Sequence, residues 1–203
     1  MPRTASLVVL GFVLAGASAA FEKADLGKAP RGWKVEAGAW QVRADATAPS
    51  KGGLVLTQTA SSGRRVFNLC LKDEPAPADV EVSVAFKALE GKEDQGGGVV
   101  WRARDAKNYY IARMNPLEDN FRLYKVVAGV RKQLDTKEGL KVKPGEWHTI
   151  TVRMVGDRVE CSLDGKKMLA AKDDTFKEKG KVGLWTKADA RTSFDVLRVK
   201  AAR

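Results

Sequence analysis

The sequence predicts an all-β protein, a two-sheet antiparallel β-sandwich in one domain. Three observations point there. Apolar and polar residues alternate with period two through one short run after another. Turn residues such as Gly156-Asp157 and Asp164-Gly165 punctuate those runs at regular spacing. The chain beyond the leader shows no convincing helical periodicity.

The chain has 203 residues. Its first segment, 1–19, reads as a secretory signal peptide. Arg3 supplies a short positive region, Leu7 to Leu14 is an apolar stretch too short to span a bilayer, and Ala17-Ser18-Ala19 is a small-residue cleavage site. The sequence therefore predicts a secreted or periplasmic protein whose mature domain runs over 20–203. No later stretch is apolar and long enough to cross a membrane after cleavage.

Within that domain the strands follow in order. Residues 38–45 alternate Trp40 with Val42, and 53–60 and 66–71 follow. A Pro-rich turn is expected at 73–79. Residues 80–89 have strict period two, with Val80, Val82, Val84 and Phe86 inward and Glu81, Ser83 and Lys87 outward. Residues 96–104 and 108–115 form a hairpin, and 121–127 and 130–134 follow around Ala128-Gly129. The sequence then gives 147–155, 158–163, 167–171, 181–187 and 193–200. Asp164-Gly165 is a strong two-residue hairpin signal. Residues 173–178 read as a single helical turn. Trp147 and Phe194 are expected to fill the space between the sheets.

The charge is strongly basic: 36 Lys and Arg against 25 Asp and Glu give +11. Removing Arg3 with the leader lowers this by one, to about +10. The basic residues are scattered rather than blocked, which reads as a solvated surface and not as a nucleic-acid interface. Cys70 and Cys161 lie far apart, each in a strand pattern, and a pair of free buried thiols is preferred to a bridge. One histidine and two distant cysteines make no zinc site. Phosphate-loop and Gly-x-Ser-x-Gly patterns are missing.

Several motifs carry a resemblance. They are Gly97-Gly98-Val99-Val100-Trp101-Arg102, Asn108-Tyr109-Tyr110-Ile111-Ala112-Arg113, Pro144-Gly145-Glu146-Trp147-His148, Leu163-Asp164-Gly165-Lys166, Gly183-Leu184-Trp185-Thr186 and Ser193-Phe194-Asp195-Val196. In this order they resemble secreted bacterial concanavalin A-like and laminin-G-like jelly-roll domains, the 3-keto-disaccharide hydrolase-type domain in particular. The resemblance implies a sandwich in which one sheet is curved, with its concave face as a sugar groove. It also implies a structural calcium at an edge, for which Asp195 is the first candidate ligand. No other cofactor is expected.

The candidate ligand-binding residues are Arg102, Tyr110, Arg122, Tyr124 and Trp185, expected on the face turned away from the core. Tyr and Trp stack on the C–H faces of sugar rings, and the planar arginine fork holds carboxylates, ketone oxygens or paired hydroxyls. The paired carboxylates of a laminarinase-type Glu-x-Asp-x-x-Glu strand are missing. The preferred reading is thus a monomeric carbohydrate-binding module with a glycan partner. Two alternatives stand beside it. One is a glycoside or 3-keto-disaccharide hydrolase, with Glu118 or Asp119 as base. The other is a structural or protein-interaction domain of the envelope. His148 reads as a packing or hydrogen-bonding residue.

Overall fold

The computed structural model describes residues 21–203; the leader read over 1–19 lies outside the described residues. Fourteen strands follow a short 3-10 turn at Lys23–Asp25. They are β1 (Trp33–Ala37), β2 (Trp40–Ala44), β3 (Leu54–Gln58), β4 (Phe67–Ala76), β5 (Val80–Glu90), β6 (Gly97–Asp105) and β7 (Asn108–Asn115). The remainder are β8 (Asn120–Val127), β9 (Val130–Glu138), β10 (His148–Val155), β11 (Arg158–Leu163), β12 (Lys166–Lys172), β13 (Gly180–Lys187) and β14 (Arg191–Ala201).

Two seven-stranded sheets result, with orders β1-β4-β13-β6-β7-β8-β9 and β12-β11-β10-β5-β14-β3-β2. Every strand pairing is antiparallel. The predicted sandwich is therefore the fold. No described helix is long and apolar enough to cross a membrane.

The alternation of β5 sets the core. Val80, Val82, Val84 and Phe86 point inward against Trp101, Tyr110, Ala112 and Leu184 of the facing sheet. Each such side chain taken fully out of water contributes about 1.5–3 kcal/mol. Trp101 stacks on Tyr110 at 5.6 Å, and Phe176 meets the Tyr110 ring edge-on at 5.1 Å. Cys70 and Cys161 join this core as free thiols. Burial pushes the Cys70 thiol up to about 12, and Cys161 is pushed up as well. The Asp164-Gly165 hairpin has positive φ at both residues, 49° and 77°, as a type I′ turn requires.

Several expectations are corrected. The strand β1, not foreseen, pairs with β4. β4 runs through the supposed Pro-rich turn to Ala76, with Pro75 opposite Lys181. The β1 pairing stops at Lys72, so the strand beyond has a free edge that tolerates proline. Residues 173–178 form no helical turn. Asp173 instead accepts hydrogen bonds from the Tyr110 hydroxyl, Lys125 Nζ and the Thr175 N–H, which pins this loop over the sandwich edge. Trp147 does not enter the core. Its ring lies 5.0 Å from the Lys87 ammonium, and its N–H donates to Thr47. Phe194 is fully buried between the sheets.

Candidate functional site

The sheet that ends at β9 is apolar on both faces. Its outer face carries Leu69, Leu71, Val100, Tyr109, Ile111 and Val126 in a second apolar cluster with Tyr124 and Trp185. A sheet with a merely solvated outer face would alternate apolar with polar; this one does not. The opposite sheet does, with Glu81, Arg153 and Glu160 outward. The outer face of the first sheet is therefore the candidate site.

The five predicted residues divide. Arg122, Tyr124 and Trp185 share this outer face. Tyr110 belongs to the inter-sheet core, its hydroxyl bonded to Asp173 and to the Phe176 N–H. Arg102 is 2% exposed and ties three loops together. It donates to the carbonyls of Ala78 at 2.7 Å, Gly156 at 3.0 Å and Phe176 at 2.8 Å. Its φ of 47° marks an irregularity in β6 that turns the side chain off the expected alternation. Arg102 and Tyr110 are thus parts of the scaffold, and their expected place on the outer face is corrected.

Residues that were not singled out complete the site. Arg131 of β9 lies opposite Val126. Its guanidinium sits 4.3 Å from the Tyr124 ring centre, 5.5 Å from Phe67 and 5.8 Å from Trp185. Trp185 packs on Phe67 at 5.3 Å and donates its N–H to the Tyr109 hydroxyl at 3.2 Å. Arg113 of β7 is 1% exposed; it donates to Glu118 at 2.8 Å and to Asn120 at 3.1 Å. Asp94, 2% exposed, accepts from Lys187 at 2.9 Å and Asn115 at 3.0 Å. The Asp94 loop is itself fixed, because the Asp189 carboxylate accepts the N–H groups of Lys92, Glu93 and Asp94.

Glu118 is the electrostatic centre of the rim. Its Oε2 accepts from Arg113, Arg122 and Asn120. Burial alone would raise this carboxyl. The bonds and charges of Arg113, Asn120 and Arg122 outweigh it and hold Glu118 at about 2. A carboxyl depressed in the folded state stabilises the fold above its unfolded value of 4.5. That contribution is lost as pH falls from there through about 2. Thermal unfolding followed between pH 6 and about pH 2 is expected to show a shallower acid decline in Glu118→Gln than in the wild type. Asp119, the other acid suggested as a base, pairs with Lys141 instead.

The geometry can be set beside known proteins. The model of the 3-keto-alpha-glucoside-1,2-lyase-like domain family matches residues 17–200. The chain belongs to that family. Among solved structures, this 3-keto-alpha-glucoside-1,2-lyase-like domain is similar to the carbohydrate-binding module CBM66 from Bacillus subtilis. Identity is 22% over 84% of this chain and 96% of that one, with a TM-score of 0.69. It is similar to a Bacillus subtilis protein of galectin-like fold at 16% identity, covering 91% of this chain and 96% of that one, with a TM-score of 0.62. It is also similar to a Bacteroides ovatus GH16 protein of a mixed-linkage glucan locus, solved with an oligosaccharide product. Identity there is 11% over 87% of this chain and 98% of that one, with a TM-score of 0.61. At these identities the likeness is one of fold. No curated protein matches the chain.

For a metal, the described residues bring no three His, Cys, Asp or Glu side chains together. Asp195, the candidate calcium ligand, spends its oxygens on the N–H groups of Ser50 and Val196. His148 Nδ1 lies 2.7 Å from Asp164, a hydrogen-bonding contact at the start of β10.

Proposed function

We propose that this domain is an exported carbohydrate-binding β-sandwich, and that a sugar seats on the outer face carrying Phe67, Tyr124, Trp185 and the Arg113–Glu118–Arg122 rim. One observation carries the reading. Aromatic rings and a hydrogen-bonding arginine–carboxylate network lie on one face of one sheet. Sugars offer apolar C–H faces and dense hydroxyls. Tyr124 and Trp185 are only 4% and 1% exposed, so the half-buried Phe67 and Arg131 and the Glu118–Arg122–Glu138 rim are what a sugar meets first, with the two rings beneath them. Support comes from structures of the same fold described as a carbohydrate-binding module and as a protein solved with an oligosaccharide.

The test is a glycan array followed by calorimetric titration. Tyr124→Ala is expected to weaken binding about tenfold or more. Arg153→Ala, on the opposite sheet, is expected to leave it unchanged. Folded protein that binds no glycan rejects the proposal.

A second reading is a lyase or hydrolase acting on a 3-keto sugar, favoured by the family match. On this reading Glu118 would be the base. Held at about 2, it is ionised at neutral pH but a weak proton acceptor. Turnover of a 3-keto-glucoside that disappears in Glu118→Gln supports the reading, and turnover that survives the change removes Glu118 from it.

A further inference from the structure

We propose that the sugar taken by this face is an acidic one, and that Arg131 receives its carboxylate. The inference rests on the carbohydrate reading and deepens it.

The charges on the face do not balance. Around Tyr124 and Trp185 four cations, Arg113, Arg122, Arg131 and Lys187, meet three carboxylates, Asp94, Glu118 and Glu138; Lys181 and the Lys34–Glu36 pair lie farther along the same face. Glu118 is shared by Arg113 and Arg122, Glu138 pairs with Arg122, and Asp94 pairs with Lys187. Arg131 is the cation left over. Among the described residues it makes no hydrogen bond and no ion pair, and its Nη1 is buried without a partner. The buried Nε of Arg113, on the same face, also has none.

Arg131 is held by rings alone. Phe67, Tyr124 and Trp185 attract its charge through their π faces, but a ring does not satisfy an in-plane N–H. The site therefore presents a positioned guanidinium with unpaired donors, of which Nη1 is buried and the others reach the surface. A sugar hydroxyl would fill a donor without bringing a counter-charge into contact; Asp94 and Glu118 act on Arg131 only from a distance. A carboxylate fills both needs, because its two oxygens match the guanidinium fork. Burial first, and then the nearby charge of Arg113, disfavour the charged form of Arg131, while Tyr124, Asp94 and Glu118 favour it; a carboxylate at hydrogen-bond distance would add to the second group. The remaining hydroxyls of such a sugar have Glu118 Oε1 within the same rim as an acceptor; Oε2 makes all of that carboxylate's bonds.

The experiment compares a uronic-acid trimer with its carboxyl-reduced neutral counterpart, by calorimetric titration of the mature domain. The acidic trimer is expected to bind about 10- to 100-fold more tightly. Arg131→Met keeps the apolar stem and should bring the acidic trimer down to the level of the neutral one. Arg131→Lys keeps the charge without the fork and should recover part of the difference, which separates recognition from any loss of folding. Equal affinity for both trimers in the wild type overturns the inference and leaves the carbohydrate reading standing. So does a preference that survives Arg131→Met. Failure to bind any sugar, neutral or acidic, overturns both.

Discussion

Replacing Arg102 by methionine is expected to lower the stability of the domain by about 3–5 kcal/mol. The side chain is 2% exposed and donates to carbonyls of three separate loops, at Ala78, Gly156 and Phe176. Methionine fills much of the volume but leaves three carbonyls without their donor. Each lost charge-assisted bond costs about 1.5–3 kcal/mol, and part of this is recovered by water at the sheet margin. For a domain of this size the melting temperature should fall by about 10 °C or more. Calorimetry or near-ultraviolet circular dichroism reads the change. Arg102→Lys should recover little, since an ammonium does not span the three acceptors in one plane. A shift of only a degree or two would show that the loops are held by other means.

The second large effect is expected at Gly98. A Cβ placed there would lie 2.0 Å from the Ala112 carbonyl oxygen and 2.8 Å from the Arg113 Cα, both backbone atoms of the neighbouring strand β7. No side-chain rotation relieves that overlap, so β6 and β7 must part. Gly98→Ala is expected to cost about 3 kcal/mol or more. Gly52→Ala is the control: a Cβ there meets nothing within 4 Å, and its expected effect is below about 0.5 kcal/mol. Gly98 pairs directly with Arg113, so any folded fraction of the variant should also bind sugar weakly.

The strands were legible because period two survives in most of them. β7 begins and ends where the alternation of Tyr110, Ala112 and Met114 places it, and β5 follows the valine pattern. The faces were harder to read. In the β1–β9 sheet both sides are apolar, so Leu69, Leu71, Val100 and Ile111 mark the outer face as strongly as Cys70, Val99 and Ala112 mark the inner one. Polarity then gives no direction, and Tyr110 was set on the wrong side. Arg102 was misplaced for another reason: a single residue with φ of 47° shifts the alternation, and nothing in its side chain announces it.

Arg131 was overlooked because the strand read over 130–134 carries Arg131, Lys132 and Gln133 in succession, which gives no period; in the structure it runs on to Glu138. A signal was present nonetheless. The Ala128-Gly129 turn, with φ of 50° and 81°, pairs Val127 with Val130 and so sets Arg131 opposite Val126. Extending the alternation of Arg122, Tyr124 and Val126 across that hairpin would have placed Arg131 on the same face as Tyr124.

The sheet orders bear on how the chain is made. The final two strands sit in the interior of the sheets: β13 lies between β4 and β6, and β14 between β5 and β3. A nascent chain lacking everything from Gly180 onward has each of its two sheets split in two, four pieces in all, and no continuous layer. Stable structure must wait for the last segment to be synthesised, since these long-range pairings close late. Such a polypeptide stays threadable during elongation and, if it is translocated as proposed, acquires its shape on the far side.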